Sequence, residues 1–340
     1  MRLDRRYGAV LGAALVLVVI AVVYVVHAAG GTNAQRAGQG GTGQAGADSV
    51  LGTVALDRPG QLVFRNAEPG SQSGRLAAVP VADPSGRRTV SNLSCVRVYA
   101  AGQTGVCLTI ERSAIPKITA VALDSSMHAT RKVQLSGAPS RARVSASGRM
   151  ISWTVFVSGD SYLTAGFSTR TGILDTRTGR VTPTLESFTI YKDGARYRAA
   201  DVNFWGVTFA DDDNRFYATM RTKGKTYLVQ GDYDRRTLRA LRTNVECPSL
   251  SPDGTRLVFK KATGDAARPW RLHVLDLKTM RETPLAEQHS VDDQAAWLDD
   301  RTVMYGRVDG ETTNVWAVPA DGSGGPRLLI KQAYSPAVIR

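Results

Sequence analysis

The segment SPDGTRLVFKK, residues 251–261, decides the fold because it joins a tight turn directly to a short strand. Pro252 presets a turn backbone, Asp253 can bond its own main chain, and Gly254 accepts a positive φ. The apolar run after the turn is short and stops at two lysines, which is typical of a strand. If this pattern recurs at a regular spacing, the chain is a repeat protein.

The same pattern, a short strand, a polar turn and a second strand ending in an aromatic residue, recurs along the chain. It is found in RVSASGRMISW (143–153), VTFADDDNRFY (207–217), PSLSPDGTRLVF (248–259) and AAWLDDRTVMY (295–305). A further strand closed by an acidic turn follows each copy, as in HVLDLKTM (273–280). Two hairpins in about 40–50 residues are the size of one β-propeller blade.

The repeats divide the chain into six units. They cover about 51–90, 91–137, 138–203, 204–244, 245–290 and 291–333. The first unit lacks an opening strand, whereas YSPAVIR (334–340) looks like an opening strand that no blade follows. We therefore predict that the C-terminal strand completes the first blade by pairing near QLVFR (61–65), which removes the free edges. The sequence thus predicts an all-β, six-bladed propeller with about 48 residues per blade.

The SPDG turn, the RLVF strand that follows it and the VLDL outer strand resemble the TolB-type propeller repeat. The resemblance is clear over 138–340 and weaker over 51–137. It concerns the propeller only. TolB carries an α/β domain ahead of its propeller, and we expect none here, so TolB's own envelope partners are not carried over to this chain.

The N-terminus differs in kind from the repeats. Residues 1–7 carry three arginines, and the 22 residues 8–29 contain no Asp, Glu, Lys or Arg. Such a run is long enough to span a bilayer as one helix, whereas a cleavable signal has an apolar core of about 7–15 residues. The arginines predict a cytoplasmic N-terminus and an extracytoplasmic remainder in a single-pass protein of the cell membrane. A long signal peptide cut near HAAGG is the less favoured alternative.

Residues 30–50 are rich in Gly, Ala, Gln and Thr and have almost no apolar bulk. Such a segment cannot bury a core, so we expect a flexible linker. The predicted order is therefore a cytoplasmic segment (1–7), a transmembrane signal anchor (8–29), this linker and the propeller (51–340).

The chain is strongly basic, with 43 Lys and Arg against 30 Asp and Glu. Nucleic acid is not an expected partner, because the propeller is predicted to be exported and its arginines are not gathered with aromatic residues. An anionic surface, either lipid or an acidic wall polymer, is a partner that this charge fits. A solvated basic surface that only aids solubility is the favoured interpretation.

The cysteines fit an exported domain. Cys95 and Cys107 flank two predicted strands joined by a Gly-containing turn, so their side chains can come within disulfide reach. Two buried thiols are the less favoured alternative. Cys247 has no partner and is expected to be a small buried residue.

No catalytic constellation is recognisable. GFSTR (166–170) lacks the last glycine of a nucleophile elbow, and the histidines of the repeats have no recognisable partners. The acidic runs DDDN (211–214) and LDD (298–300) occupy the position of the SPDG turn, which favours a turn role over metal binding. We therefore assign no catalytic residue, no metal and no cofactor.

The repeat predicts which face of the propeller binds. The SPDG-type and acidic turns are short and share one face, whereas longer loops, such as 157–169 and 263–270 and an extra hairpin within 186–203, are assigned to the other. Long loops on a rigid scaffold are where binding usually occurs. Residues just before the innermost strands are expected to ring the channel on that face: Ser140, Arg141, Asn203, Trp205, Glu246, Asp292, Asp293 and Tyr334.

Five of these assignments have an alternative. For Trp205 and Tyr334, packing between blades is as well supported as ligand contact. For Glu246, Asp292 and Asp293, solvated or backbone-capping carboxylates are favoured over ligand contact.

Taken with its export signal, this fold predicts a membrane-tethered, extracytoplasmic module of the cell envelope that binds a protein or another ligand. The alternative is a metal-dependent propeller hydrolase or lactonase with its site at the channel mouth. A divalent metal held by carboxylates from three or more blades would distinguish the enzyme.

Overall fold

A computed structural model describes residues 49–157 and 168–340. Over these ranges the chain forms six sheets of four to six strands, connected by turns and one 3-10 turn at Leu185–Ser187. Each sheet is one blade, so the prediction of an all-β, six-bladed propeller is confirmed.

The first three blades take their strands in chain order. Blade 1 contains β1 (Ser49–Leu51), β2 (Gln61–Asn66), β3 (Arg75–Pro80) and β4 (Arg88–Ser94). Blade 2 contains β5 (Arg97–Ala101), β6 (Thr104–Glu111), β7 (Lys117–Leu123) and β8 (Ala129–Leu135). Blade 3 contains β9 (Ala138–Val144), β10 (Met150–Val157), β11 (Ser168–Asp175) and β12 (Val181–Thr182).

The next three blades follow the same scheme. Blade 4 contains β13 (Thr189–Lys192), β14 (Ala195–Tyr197), β15 (Asn203–Phe209), β16 (Arg215–Thr222), β17 (Lys225–Asp232) and β18 (Thr237–Thr243). Blade 5 contains β19 (Glu246–Leu250), β20 (Arg256–Ala262), β21 (Trp270–Asp276) and β22 (Glu282–Pro284). Blade 6 contains β23 (Ala296–Asp299), β24 (Thr302–Asp309), β25 (Thr312–Pro319) and β26 (Arg327–Ile330), and the last strand of the chain is β27 (Ala333–Ile339).

The ring closes through the C-terminal strand. β27 pairs antiparallel with β2, with Gln61 opposite Ile339 and Val63 opposite Ala337. It is the innermost strand of blade 1, which takes its other strands from the start of the chain. The predicted closure near residues 61–65 is therefore confirmed.

The core lies between neighbouring blades. The aromatic residue that recurs in the second strand of four repeats is buried in each case, although each strand runs several residues past it: Trp153, Tyr217, Phe259 and Tyr305. Between the last blade and the first, Leu62 and Phe64 pack in one cluster with Met304 and Val315. The repeated aromatic positions thus supply large apolar surface to the contacts that hold the ring together.

The SPDG-type turns also tie blades together. The backbone N–H of Asp253 donates to the Asp300 carboxylate of blade 6 at 3.0 Å. Ser147 of blade 3 donates to the Asp213 carboxylate of blade 4 at 2.7 and 2.8 Å. The acidic runs DDDN and LDD are therefore turn residues, as predicted, and they also connect adjacent blades.

The extra hairpin predicted within 186–203 is present, with its turn at Asp193 and Gly194. The sequence analysis placed this hairpin with the long loops of the binding face, and that placement was wrong. β13 pairs in parallel with β18, so the hairpin extends the outer edge of blade 4. The reason is that β18 offers an unpaired edge, which the hairpin covers.

Cys95 and Cys107 form the predicted disulfide, with their Cα atoms 5.4 Å apart. Cys95 precedes β5 and Cys107 lies in the adjacent β6, so the bond fastens the entry of blade 2 to its second strand. Cys247 is a buried free thiol, as expected.

The predicted cytoplasmic segment, anchor and linker lie at residues 1–50, of which 1–48 are outside the described residues. Ser49 and Val50, assigned to the linker, lie in β1 and pair in parallel with β4. Within 49–157 and 168–340, no helix has the length and apolar character needed to cross a membrane.

Candidate functional site at the channel mouth

The innermost strand of each blade begins at one end of the central channel, which we call the mouth. These strands are β27, β5, β9, β15, β19 and β23, and neighbouring members contact one another around the ring. The loops between second and third strands open on the same face, because those strands are antiparallel to their neighbours. The mouth is therefore the face on which the sequence placed the binding residues.

A cavity of about 350 Å³ occupies the mouth between blades 3, 4, 5 and 6. Its wall combines three aromatic rings, three hydroxyl groups, two cations and two carboxylates: Phe156, Trp205, Trp270, Ser140, Thr154, Thr169, Arg141, Lys260, Glu246 and Asp292. This volume lies at the lower end of the range for small-molecule pockets, and such pockets typically join apolar walls to a few polar groups.

Asp292 is the centre of the charged part of the cavity. Its Oδ1 accepts hydrogen bonds from Lys260 Nζ at 2.6 Å and from Arg141 Nη2 at 3.1 Å. Burial alone would raise the pKa of Asp292, but the charges of Lys260 and Arg141 outweigh it and hold this pKa below the ordinary value. Because 59% of its side-chain surface is exposed, Asp292 presents an ionised carboxylate to the cavity.

Lys260 connects Asp292 with two residues of blade 5, Glu246 and Trp270. It lies opposite Glu246 in the pairing of β19 with β20, and its Nζ is 4.0 Å from Glu246 Oε2. The same ammonium group is 4.1 Å from the ring centroid of Trp270. Trp270 Nε1 in turn donates to Glu246 Oε1 at 3.3 Å, so the indole ring and the charges hold one another in place.

Below the cavity the channel is closed by a second polar layer. Arg97 donates to Asp293 at 3.3 Å and stacks on the Tyr334 ring at 4.2 Å. Burial and the nearby Asp293 raise the pKa of Tyr334 to about 12, so this phenol is neutral at ordinary pH. Deeper still, the Gln294 side chain donates to the carbonyls of Val207 and Pro248. The space left within this layer is only about 20 Å³, so the mouth cavity is a blind pocket.

The loop that carries Asp292 and Asp293 is anchored by Glu287, whose side chain is fully buried. Its carboxylate accepts hydrogen bonds from Tyr305 Oη at 2.6 Å and from Arg307 Nη1 at 2.9 Å. Burial opposes its ionisation, but these bonds and those from His289 hold the pKa of Glu287 below the ordinary value. A charged anchor thus fixes the loop that positions the carboxylates of the mouth.

Five of the predicted residues line the cavity: Ser140, Arg141, Trp205, Glu246 and Asp292. Asp293 and Tyr334 lie in the layer beneath. Asn203 is used structurally instead, because its Oδ1 accepts from Ser168 Oγ and from the Thr169 N–H, both at 2.9 Å.

The placement of these residues relative to the strands needs a correction. Only Asp292 and Asp293 precede an innermost strand, whereas the others lie within the first residues of theirs. The reason is that strand pairing continues to the rim of the mouth. The favoured view of the carboxylates as solvated or capping groups fits Asp293, which accepts the Gly306 N–H at 3.0 Å. The carboxylates of Glu246 and Asp292 accept hydrogen bonds from side chains instead. Trp270 donates to Glu246, and Lys260 and Arg141 donate to Asp292.

Sequence reasoning missed Lys260, Trp270 and Phe156. They lie on the second and third strands of their blades, whereas the prediction considered only the innermost strands. The sequence did carry one signal for Lys260. This lysine directly follows the apolar residues Leu257–Phe259, at a position where the buried strand continues. Its side chain is buried despite its charge.

A groove of about 520 Å³ lies next to the cavity, between blades 4 and 5. Trp205, Glu246 and Trp270 border both spaces. The rest of the groove is mostly polar and is lined by Arg221, Gly224, Lys225, Thr226, Thr243, Asn244 and Ala262. The mouth thus offers two neighbouring spaces with a shared border of two indole rings and one carboxylate.

The donor set at the mouth differs from the one that a catalytic metal would need. Its three carboxylates come from two blades, 5 and 6, and each is engaged by a cation or by an N–H group. In the described part of the chain, no three His, Cys, Asp or Glu side chains are grouped so that they could hold a metal ion.

No protein-family model matches the sequence, and no protein of curated function matches it. Solved structures do match the fold. The TolB structure from Acinetobacter baumannii aligns with a TM-score of 0.56 and 15% identity over 82% of this chain and 66% of that chain. The chain thus spans just under two thirds of the length of that TolB.

A second match is to a structure of a nidogen/laminin complex, with a TM-score of 0.54 and 15% identity over 82% of this chain and 98% of that chain. A third is to the tricorn protease, with a TM-score of 0.50 and 11% identity over 79% of this chain and 30% of that chain. At these identities the likeness concerns the fold alone. The chain is a six-bladed β-propeller of the TolB-like fold.

Proposed function

We propose that this protein is a membrane-tethered, extracytoplasmic binding module of the cell envelope, and that the mouth of its propeller is the face that binds a partner protein. The observation that carries this proposal is the blind, aromatic-walled cavity on the face that also bears exposed apolar residues. A rigid ring that presents such a face fits a binding role better than catalysis, since the mouth charges are paired with one another.

The rim of the mouth supports a protein partner. Ile115, in the loop between β6 and β7, is 82% exposed, and Val308, at the tip of the hairpin of β24 and β25, is 71% exposed. Phe156, near the end of β10, is also exposed. Exposed apolar side chains on three blades of one face favour protein contacts there.

The proposed location rests on the sequence, with its arginines before the apolar run 8–29. Protease added to intact cells should degrade the propeller and leave a small membrane-bound N-terminal fragment. Release of an intact propeller into the medium without protease would instead indicate a cleaved signal peptide.

The binding face is tested by photo-crosslinking in intact cells. A photoreactive amino acid replaces Glu311, at the mouth end of blade 6, or Gly325, in a turn at the opposite end of the same blade. We expect a discrete crosslinked protein from position 311 that is lost when Val308→Asp is added. Equal products from both positions, or a product that Val308→Asp does not reduce, would contradict the proposal.

A further inference from the structure

We infer that the mouth cavity binds one end of a neutral saccharide chain. This inference rests on the proposed function in one respect, the use of the mouth as the binding face. It adds a ligand class and assigns it to the cavity rather than to the apolar rim.

The first argument is charge balance. The cavity wall holds two cations, Arg141 and Lys260, and two carboxylates, Glu246 and Asp292. Asp292 is bonded to both cations, and Lys260 also lies near Glu246. A small anion would have to displace Asp292 from its partners, and a small cation would have to compete with Lys260. An uncharged ligand requires neither.

The second argument is the supply of hydrogen-bond acceptors. Asp292 uses Oδ1 for both of its ion pairs, and its side chain is open to the cavity. Thr169 donates its hydroxyl proton to the carbonyl of Phe204, and Thr154 pairs with the hydroxyl of Thr171, so these two hydroxyl groups of the wall add acceptors. Ser140 accepts from Arg141 and keeps its own proton to donate. A sugar ring carries several hydroxyl groups on one small frame, whereas a peptide offers one backbone N–H per residue. Fixed, ionised acceptors therefore fit a sugar ring better.

The third argument is the apolar wall. Phe156, Trp205 and Trp270 supply aromatic surface next to these polar groups. Sugar rings have faces made of C–H groups that pack on aromatic rings while the hydroxyl groups at the edge bond to polar side chains. The cavity wall offers both kinds of surface next to each other, since Trp270 is bonded to Glu246.

The fourth argument is the shape of the whole space. The channel below is closed by the Arg97, Asp293 and Gln294 layer, so a chain cannot pass through the ring. The groove between blades 4 and 5 adjoins the cavity at Trp205, Glu246 and Trp270, and Thr226, Thr243 and Asn244 line it further out. One terminal ring would therefore sit in the cavity and the following rings would lie in the groove.

The test uses the full chain in nanodiscs, on a broad glycan array and by calorimetry with cellotetraose, chitotetraose and maltotetraose. We expect retention of neutral glycans and saturable binding of at least one tetrasaccharide. Trp270→Ala and Asp292→Asn should each weaken this binding by about tenfold, the loss expected when one anchoring side chain is removed. Circular dichroism and thermal unfolding would show that each variant remains folded.

Val308→Asp is the matched control, because it alters the rim and leaves the cavity intact. It should leave saccharide binding unchanged and remove the crosslinked protein. Trp270→Ala should weaken saccharide binding and leave the crosslinked protein unchanged. If no neutral glycan is retained above the level of the Trp270→Ala variant, the inference is wrong. It is equally wrong if a peptide library or charged trigalacturonate binds in the cavity instead. Neither result would change the outcome of the crosslinking test.

Discussion

At the scale of single residues, the structure relies on charged side chains that are buried together with their partners. Asp175, at the end of β11, is nearly fully buried and accepts hydrogen bonds from Arg149 Nε at 3.0 Å and Nη2 at 2.8 Å. These bonds hold the pKa of Asp175 at about 2, below its ordinary value of 3.8. As the pH falls, the Asp175 carboxylate is therefore protonated at a higher pH in the unfolded chain than in the folded protein.

The pair should make stability depend on pH in a defined direction. Since the folded pKa is the lower one, its contribution is fully present above about pH 4 and is lost as the pH falls through 2. Asp175→Asn should reduce the free energy of unfolding at pH 7 by on the order of 2 kcal/mol, and by about half as much at pH 3. Denaturant unfolding of both proteins at pH 7, 5 and 3 measures this. An equal loss at all three values would contradict the assignment.

Gly306 shows how closely the layer beneath the mouth is packed. A Cβ atom at this position would lie 2.4 Å from Tyr334 Cδ2, closer than side chains allow. Gly306→Ala should therefore displace Tyr334 from Arg97 and cost about 1–3 kcal/mol, as overpacking does. Thermal unfolding measures the cost, and Gly325→Ala, where a Cβ meets no neighbouring atom, is the control. Equal melting temperatures for the two variants would show that Tyr334 can move without loss.

At the scale of elements, the strand pair at the entry of blade 2 is fastened by the Cys95–Cys107 bond, whose cysteines are 12 residues apart. The chain-entropy model gives about 3 kcal/mol for a loop of this length. Replacing both cysteines by serine should lower the melting temperature by several degrees. Peptide mapping without reductant should find these two cysteines linked and Cys247 free. A linked peptide that contains Cys247 would contradict the pairing.

The elements also show what the sequence can and cannot predict. The SPDG-type turns and the recurring aromatics of the second strands were predictable, because each depends on a local pattern that repeats. The parallel pairing of β13 with β18 was not, since a hairpin pattern does not tell which free edge it will cover. Lys260 and Trp270 were missed for a related reason. The alternation of apolar and polar residues along a strand predicts which face of its own sheet a side chain occupies. The cavity is formed by side chains from several blades, and their meeting point is not predicted by that alternation.

At the scale of the whole molecule, the polar layer beneath the mouth depends on a closed ring. β27 brings Tyr334 into the layer beneath the cavity, and the same strand supplies the inner edge of blade 1. Blades 6 and 1 are held together by the pairing of β27 with β2 and by the apolar cluster around Phe64 and Val338. Without this strand, blade 1 would lose its innermost member and the ring would have a gap.

The most direct test is therefore to remove the closing strand. Deletion of residues 334–340 should expose strand edges on both sides of the gap and remove the ladder hydrogen bonds to β2. Removal of Arg340 alone, which lies outside β27, is the control and should have a small effect. Thermal unfolding of the three chains is compared. We predict that the chain lacking 334–340 aggregates or loses its cooperative transition, whereas a cooperative transition at an unchanged temperature would contradict the closed ring.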